Sequence, residues 1–173
     1  MLPTTTPLDR NLKSITDSIE LCLGANQVLP ALILLYSAID AVAALELQTG
    51  EGTKSAFTRW VGRYMNLDDL GCTALELYAA RCGLLHAFSG SSELSQAGRV
   101  RVVVYAWGSF PIEAVRINDG LIARGAPSVA VHVNALRRVF ADGVSLWLRD
   151  IGKDPERVAS VSSAAATWFV VTS

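Results

Sequence analysis

Apolar residues recur at helical spacing near the start of the chain. Thr6-Pro7 places a hydroxyl cap before a proline at the first helical position, which is typical of a helix N-terminus. The apolar positions that follow are three or four residues apart, as on one face of an amphipathic helix: Leu8, Leu12, Ile15, Ile19 and Cys22. Gly24 is expected to end this first helix.

The next segment, from Val28 to about Leu47, is apolar on every side. Its length approaches that of a membrane span, but Asp40 lies in its second half, where a carboxylate is costly in lipid. We therefore interpret this segment as the central buried helix of a bundle. Two environments remain open for Asp40, which are an ion pair with Arg81 and a groove at the surface.

A third helix is expected to begin at Thr53, which can act as its cap. Its apolar face contains four residues: Phe57, Trp60, Val61 and Tyr64. Arg59 and Arg63 are four residues apart on a different face of this helix. They are either a weak phosphate or RNA contact or a solvated polar face, and the pattern favours the solvated face.

A fourth helix is expected to begin at a cap formed by Asp68 or Asp69 and to run to about Phe88. The stretch Ser89-Gly90-Ser91-Ser92 then ends it, with Gly90 as the C-terminal glycine. This places His86 in the last helical turn.

After residue 98 the hydrophobic period changes from helical to alternating. Arg99 to Trp107 predicts a strand, and Gly108-Ser109-Phe110-Pro111 predicts a turn. Ile112 to Ile117 then predicts a second strand, so that the two form an antiparallel hairpin. Alternating valines over 129–133 predict a third short strand, and an early start of the following helix is the alternative.

Two helices are predicted at the end of the chain. Asn134 is expected to cap the first of them. Its apolar stripe is formed by Leu136, Val139, Phe140, Val144, Trp147, Leu148 and Ile151. Asp154-Pro155-Glu156 is expected to start the last helix. That helix carries Val158, Val161, Ala165, Trp168 and Phe169.

These elements predict a mainly α fold. We expect an antiparallel bundle of about six helices, with a small antiparallel β-sheet inserted between the fourth and fifth helices. No linker divides the chain, so residues 1–173 should form a single domain. Within it we distinguish a helical core over 8–90, a β insertion over 99–133 and C-terminal helices over 134–171.

The composition adds three constraints. Apolar residues make up 51% of the chain and charged residues 18%, which indicates either a large core or an apolar face hidden in a homo-oligomer. The net charge of −1 excludes a broad electrostatic attraction for nucleic acid. Three cysteines without a CxxC pair, and no signal peptide pattern, predict a cytoplasmic protein with reduced thiols.

The candidate chemistry is concentrated in Arg81 and His86, which interrupt an apolar helix. The sequence lacks a glycine-rich phosphate loop, HExxH and GxSxG. A metal site is improbable because the chain has two histidines, and His132 lies among valines as a structural residue. Cys82 is four residues before His86 and could act as a thiol nucleophile, but a packing role is favoured.

The Arg81-x4-His86 spacing, followed by a serine-rich stop, resembles the motif of the HEPN superfamily. The resemblance extends to Asp40 on an apolar early helix and to the aromatic and basic third helix around Phe57–Trp60. It covers residues 8 to 90, about half of the chain. It implies a four-helix core with the motif near the end of a late helix.

The resemblance also implies a metal-independent endoribonuclease that needs no cofactor and acts as a homodimer on RNA. Two motifs would meet at the dimer cleft, and a toxin or defence effector of this kind would have an antitoxin as a candidate partner. In these terms Arg81 holds the scissile phosphate, and His86 is the base or acid. Asp40 orients one of them, and Ser89 adds a donor.

An alternative function remains open, which is a non-catalytic HEPN-like module that binds a nucleotide or a protein. Cys82 favours it, because active members of the superfamily usually carry a polar residue directly after the arginine, often Asn, Asp or His. The spacing also restricts how Arg81 and His86 can meet, since residues five apart on an ideal helix point about 140° from each other. Arg81 and His86 can converge if the arginine bends round, if the helix distorts near Gly83, or if a dimer closes the site.

Overall fold

The computed structural model describes residues 6–87, 92–115 and 125–167. This part of the chain is mainly helical, with a small two-stranded sheet. In chain order the elements are α1 (Pro7–Gly24), α2 (Val28–Ala44), α3 (Thr53–Tyr64), α4 (Ala74–Ala87), α5 (Glu93–Gln96), β1 (Val102–Ala106), β2 (Ser128–His132), α6 (Val133–Ile151) and α7 (Pro155–Ala166).

The predicted start of α1 is confirmed. Thr6 Oγ1 accepts a hydrogen bond from the Asp9 backbone N–H at 3.2 Å, and the Asp9 carboxylate accepts one from the Thr6 N–H at 3.1 Å. Two backbone donors that a helix start leaves unpaired are thereby satisfied. Pro7 follows the cap at the first helical position.

Helix α2 is the centre of the bundle, as its apolar sequence predicts. It packs against α1, α3, α4 and α6. Its buried side chains include Leu35, Tyr36 and Ile39, each at most 1% exposed. The predicted apolar face of α3 is also buried, and Trp60 lies against Phe140 of α6. None of the described helices is both long enough and apolar enough to span a membrane.

Helix α4 begins later than the sequence predicted. Its cap is Thr73, whose N–H donates to Glu76 Oε2 at 2.7 Å while Thr73 Oγ1 accepts from the Glu76 N–H at 3.2 Å. The predicted cap at Asp68 or Asp69 is wrong, because those residues lie in a turn. That turn passes through Gly71 at a φ of 65°, which is incompatible with continuing a right-handed helix.

The predicted antiparallel hairpin is also wrong, because β1 and β2 pair in parallel with Val102 opposite Ser128. Residues 112–115 are helical where a second strand was expected, and 116–117 lie outside the described residues. A parallel pair needs a connection long enough to return the chain to the starting end of the first strand. The chain returns to that end between Ala106, where β1 ends, and Ser128, where β2 begins.

Both faces of the sheet are covered. Val103, Val129 and Val131 belong to the main core, whereas Val102, Val104 and Ala130 form a second small core with Val115. Burial on both faces explains why these strands are rich in valine rather than alternating with polar residues. The third predicted strand is present as β2.

Helix α6 begins directly after β2, so its cap differs from the predicted one. His132 Nδ1 accepts a hydrogen bond from the Asn134 N–H at 3.2 Å, which makes His132 the cap instead of Asn134. The structural role predicted for His132 is therefore found. The start of α7 is confirmed, since Asp154 Oδ1 accepts from the Glu156 N–H at 3.0 Å. Trp168 and Phe169 lie outside the described residues.

A polar cluster fixes α7 to the rest of the bundle. Arg157 Nη2 donates to Glu46 Oε1 at 2.6 Å, and its Nη1 donates to Asp150 Oδ2 at 3.1 Å. Tyr64 Oη donates to the same Asp150 oxygen at 2.8 Å, and Trp147 Nε1 donates to Glu46 at 2.7 Å. The cluster joins α3, α6, α7 and the residues that follow α2.

Candidate functional site

Helices α2 and α4 bring Asp40 and Arg81 together. Arg81 Nε donates to Asp40 Oδ2 at 2.6 Å, and Arg81 Nη2 contacts the same oxygen. The two side chains are 15% and 17% exposed, so the pair lies mostly inside the bundle. Of the two environments open to Asp40, the structure shows the ion pair.

His86 lies beside the same guanidinium. The distance from Arg81 Nη1 to His86 Nε2 is 3.1 Å, which is a hydrogen bond. Helix α4 remains helical through Gly83, so the convergence requires neither a break in the helix nor a second subunit. The long arginine side chain bends round instead, because Asp40 holds its Nε.

The hydrogen bond specifies the state of the imidazole. A guanidinium has donors only, so His86 Nε2 must accept the hydrogen bond through its lone pair. The neutral ring then carries its proton on Nδ1. His86 is exposed, so a ligand can reach this nitrogen from solvent once the arginine moves aside.

The Arg81 guanidinium is held in its charged form. Burial lowers the pKa of Arg81, but the hydrogen bond to Asp40 and the negative charge of that carboxylate raise it more, and the pKa lies above its usual value. Asp40 Oδ1 is buried without a hydrogen-bond partner among the described residues. The charge of Asp40 is therefore directed at Arg81.

A cleft of about 510 Å³ opens beside His86. Helices α3, α4 and α5, with the cap of α5, supply its walls. The described lining residues are Lys54, Tyr78, Cys82, Gly83, His86, Ser92, Glu93, Leu94 and Gln96. The size is that of a pocket for a small molecule or a nucleotide.

Tyr78 and Cys82 form part of the cleft wall on α4. Burial raises the pKa of Tyr78, and its contact with Cys82 raises that pKa further, so the phenol keeps its proton and remains a donor. Cys82 Sγ lies 4.0 Å from Arg81 Nη1. Among the described residues Cys82 and His86 share the cleft without a hydrogen bond between them, and the structure gives no thiol–imidazole pair.

The two arginines of α3 are bound to carboxylates. Arg59 donates to Glu51 through Nε at 3.0 Å and Nη2 at 2.8 Å. Arg63 Nη2 donates to Asp150 at 2.8 Å. Lys54 is the α3 cation that lines the cleft, a role that nothing in its sequence position indicated.

The short helix α5 was also missed. Its signal was present in the sequence, because Ser92 and Ser95 are spaced as the two ends of a capping box. The Ser92 N–H donates to Ser95 Oγ at 2.8 Å, and the Ser95 N–H donates to Ser92 Oγ at 3.4 Å. Ser89, which was expected to support the site, lies outside the described residues.

In the described part of the chain, no three His, Cys, Asp or Glu residues are grouped as a metal site would require. The side chains brought together beside the cleft are a guanidinium, an imidazole and a carboxylate. No protein-family model matches the chain, and no curated protein or solved structure matches it either.

Proposed function

We propose that the chain is a HEPN-like, metal-independent endoribonuclease that acts as a homodimer. The observation that carries the proposal is the 3.1 Å contact between Arg81 and His86, with Asp40 holding the arginine. These side chains supply a guanidinium that can bind phosphate and a proton acceptor within one hydrogen bond of each other.

The reaction that suits this pair is transesterification within RNA. His86 Nε2 takes the proton of a ribose 2′-hydroxyl, and the 2′-oxygen forms a bond to the adjacent phosphorus. The bond from phosphorus to the 5′-oxygen breaks, and that oxygen receives a proton from a general acid. Arg81 binds the phosphate oxygens as negative charge accumulates on them.

The two proton transfers are the reason to propose a dimer. Of the two histidines in the sequence, His132 caps α6, so a single protomer contributes one imidazole to the cleft. His86 of a second copy supplies the general acid when the two exposed histidines face one RNA. A toxin or defence effector of this type, neutralised by an antitoxin, is the cellular role that we propose.

The test is cleavage of a structured RNA in EDTA by the purified protein. We expect His86→Asn to lower the rate by about 100-fold or more, which is the usual contribution of a general acid or base. His132→Asn is the matched control, because asparagine keeps the cap of α6 and should leave the rate unchanged. Arg81→Lys should also lose most activity, since a lysine ammonium cannot bind Asp40 along one edge and a phosphate along another as the guanidinium can.

Folding is monitored by circular dichroism and thermal unfolding for every variant. The proposal is wrong if the wild-type protein leaves RNA intact in EDTA, or if folded His86→Asn cuts as fast as the wild type. Growth arrest on expression, relieved by His86→Asn, would support the toxin role in particular.

A second candidate function is a non-catalytic module that binds a nucleotide. It is favoured by the single imidazole that each protomer brings to the cleft and by Cys82, whose sulfur lies 4.0 Å from the guanidinium. A monomer could bind a phosphate through Arg81 but would lack a second proton carrier. Nucleotide binding that Arg81→Lys weakens, without any RNA cleavage, would favour this function over the enzyme.

A further inference from the structure

Three polar side chains of the cleft have no partner among the described residues. Lys54, Glu93 and Gln96 line the cleft together with His86, and none of them makes a side-chain hydrogen bond or ion pair there. The site chemistry of Arg81 and His86 does not use them. The cleft therefore has unused donors and acceptors in the same cavity as His86.

The positions of Glu93 and Gln96 are fixed by the fold. Both belong to α5, which packs against α4 and starts at the buried Ser92 with its two bonds to Ser95. Residues three apart on a helix lie on the same side. A carboxylate and an amide therefore lie on one side of α5, and both line the cleft.

The remaining lining is suited to a flat ring. The cleft has an aromatic wall at Tyr78, an aliphatic wall at Leu94 and a residue without a side chain at Gly83. A group that is flat on its faces and polar at its edge fits such walls, and in RNA that group is a base. The base would belong to a nucleotide whose phosphate lies at Arg81.

The carboxylate selects among the four bases. Guanine has two adjacent donors, N1–H and the N2 amino group, which match the two oxygens of Glu93, and its O6 accepts from Lys54 or from the Gln96 amide. Adenine, cytosine and uracil each place an acceptor beside their single donor group. A carboxylate next to RNA phosphates is otherwise repulsive, so its presence favours a base that donates to it.

We propose that this cleft is a guanine-selective base subsite, with Glu93 as the residue that sets the selectivity. The inference rests on the proposed function in placing the base beside a scissile phosphate. Binding of a mononucleotide can nevertheless test it without any cleavage.

The first experiment measures cleavage of DNA oligonucleotides that each contain one ribonucleotide, with the four bases varied on both sides of the scissile phosphate. We expect the wild-type protein to prefer guanine at one position by about 10- to 100-fold, as a bidentate contact provides. Glu93→Gln should reduce that preference to about threefold or less, because its amide nitrogen meets a donor of guanine. Glu156→Gln, an exposed acid in the first turn of α7, is the matched control and should keep the preference.

The second experiment measures binding of the four nucleoside 3′-monophosphates by calorimetry. We expect guanosine 3′-monophosphate to bind about tenfold or more tightly than the others, and Glu93→Gln to remove the difference. Cleavage without base preference, with Glu93→Gln equal to the wild type, overturns the guanine subsite and leaves the proposed function standing. Guanine-selective binding without cleavage overturns the proposed endoribonuclease and leaves the guanine subsite standing. If the protein neither cleaves RNA nor binds guanine selectively, both proposals are wrong.

Discussion

Arg81 is shared by two partners that use different edges of its guanidinium. Asp40 takes Nε and Nη2, whereas Nη1 contacts the lone pair of His86 Nε2. A phosphate oxygen that binds Nη1 would displace the imidazole and free that lone pair. In the proposed reaction, binding of the phosphate therefore also exposes His86 Nε2, which is the general base.

At this scale Asp40 is a positioning residue, and Asp40→Asn tests the role. The amide keeps the size of the carboxylate but removes the charge that fixes the arginine. We expect kcat for RNA to fall by about 10- to 100-fold, as for a misplaced catalytic group, while KM does not rise. Steady-state kinetics measures kcat and KM, and thermal unfolding separately measures any change in stability.

The matched control for this variant is Asp17→Asn, which removes an exposed carboxylate paired with Lys13. It should leave kcat unchanged. A folded Asp40→Asn protein with the wild-type kcat would show that the ion pair serves stability alone.

At the scale of the elements, the start of α4 is tied to the sheet. Arg101 Nε donates to Glu76 Oε1 at 2.6 Å and Arg101 Nη2 donates to Oε2 at 3.0 Å, while Glu76 also completes the cap with Thr73. The Glu76 side chain is 6% exposed. The helix that carries Arg81 and His86 is thus anchored at its first turn by a charged group from the residue before β1.

This anchor predicts an acid-sensitive contribution to stability. Burial raises the pKa of Glu76, but hydrogen bonds from Arg101 and the Thr73 backbone lower it more, and the net pKa lies below its usual value. A carboxyl whose pKa is lowered by folding stabilises the protein above its unfolded pKa, about 4.3. That contribution is lost as the pH falls through the lower, folded value.

Glu76→Gln should therefore reduce the free energy of unfolding by about 1–3 kcal/mol at pH 7, the cost of losing a hydrogen bond to a charged group. The difference from the wild type should shrink as the pH falls below 4. Urea unfolding across that range measures it, with Glu156→Gln as the exposed control. A difference that stays constant with pH would mean that packing, and not charge, sets the role of Glu76.

The sequence predicted some of these elements for physical reasons that can be named. Helical spacing located α1, α2, α3 and α7, and side-chain caps marked the starts of α1 and α7, because both signals are local. The cap predicted at Thr53 is wrong, since Gly52 precedes α3 and no side chain caps that helix. The segment 112–115 was misassigned because Ile112 and Val115 are three apart, a spacing that also suits one turn of helix against the second core. Strand direction was wrong because a valine-rich pattern does not encode which way a partner runs.

The candidate site was also predicted only in part from the sequence. Polar groups on apolar helices need partners, which is why Asp40, Arg81 and His86 stood out. The contacts of Arg81 with Asp40 and with His86 follow from that need. The cleft could not be predicted, since Lys54 is remote in sequence from His86, and Glu93 faces the same cleft only because α5 folds back beside α4.

At the scale of the whole molecule, the large apolar fraction is accounted for mainly by the core. One continuous cluster joins all the long described helices and one face of the sheet. Large apolar side chains also remain exposed, with Leu21 at 73% and Phe110 at 55%. Neither of these lies on α4, so the composition does not by itself locate a dimer at Arg81 and His86. The homodimer stays a prediction from the chemistry.

That prediction can be tested by mixing subunits. If one cleft needs His86 from both copies, a dimer with one His86→Asn subunit is inactive, because it lacks either the base or the acid. In equal mixtures that have exchanged subunits, we expect about a quarter of the activity of the same total amount of wild type, since a quarter of the random dimers carry two intact histidines. Independent sites would instead leave about half.

The mixture is prepared by unfolding and refolding the two proteins together, with refolded wild type as the reference. Mixing with Glu156→Gln is the control and should leave full activity. Activity that falls in proportion to the wild-type fraction would contradict the composite cleft while leaving a single-subunit nuclease intact. Activity that falls with the square of the wild-type fraction would show that the two copies of His86 act in one cleft. A single protomer cannot give this result, because it brings one imidazole to the cleft.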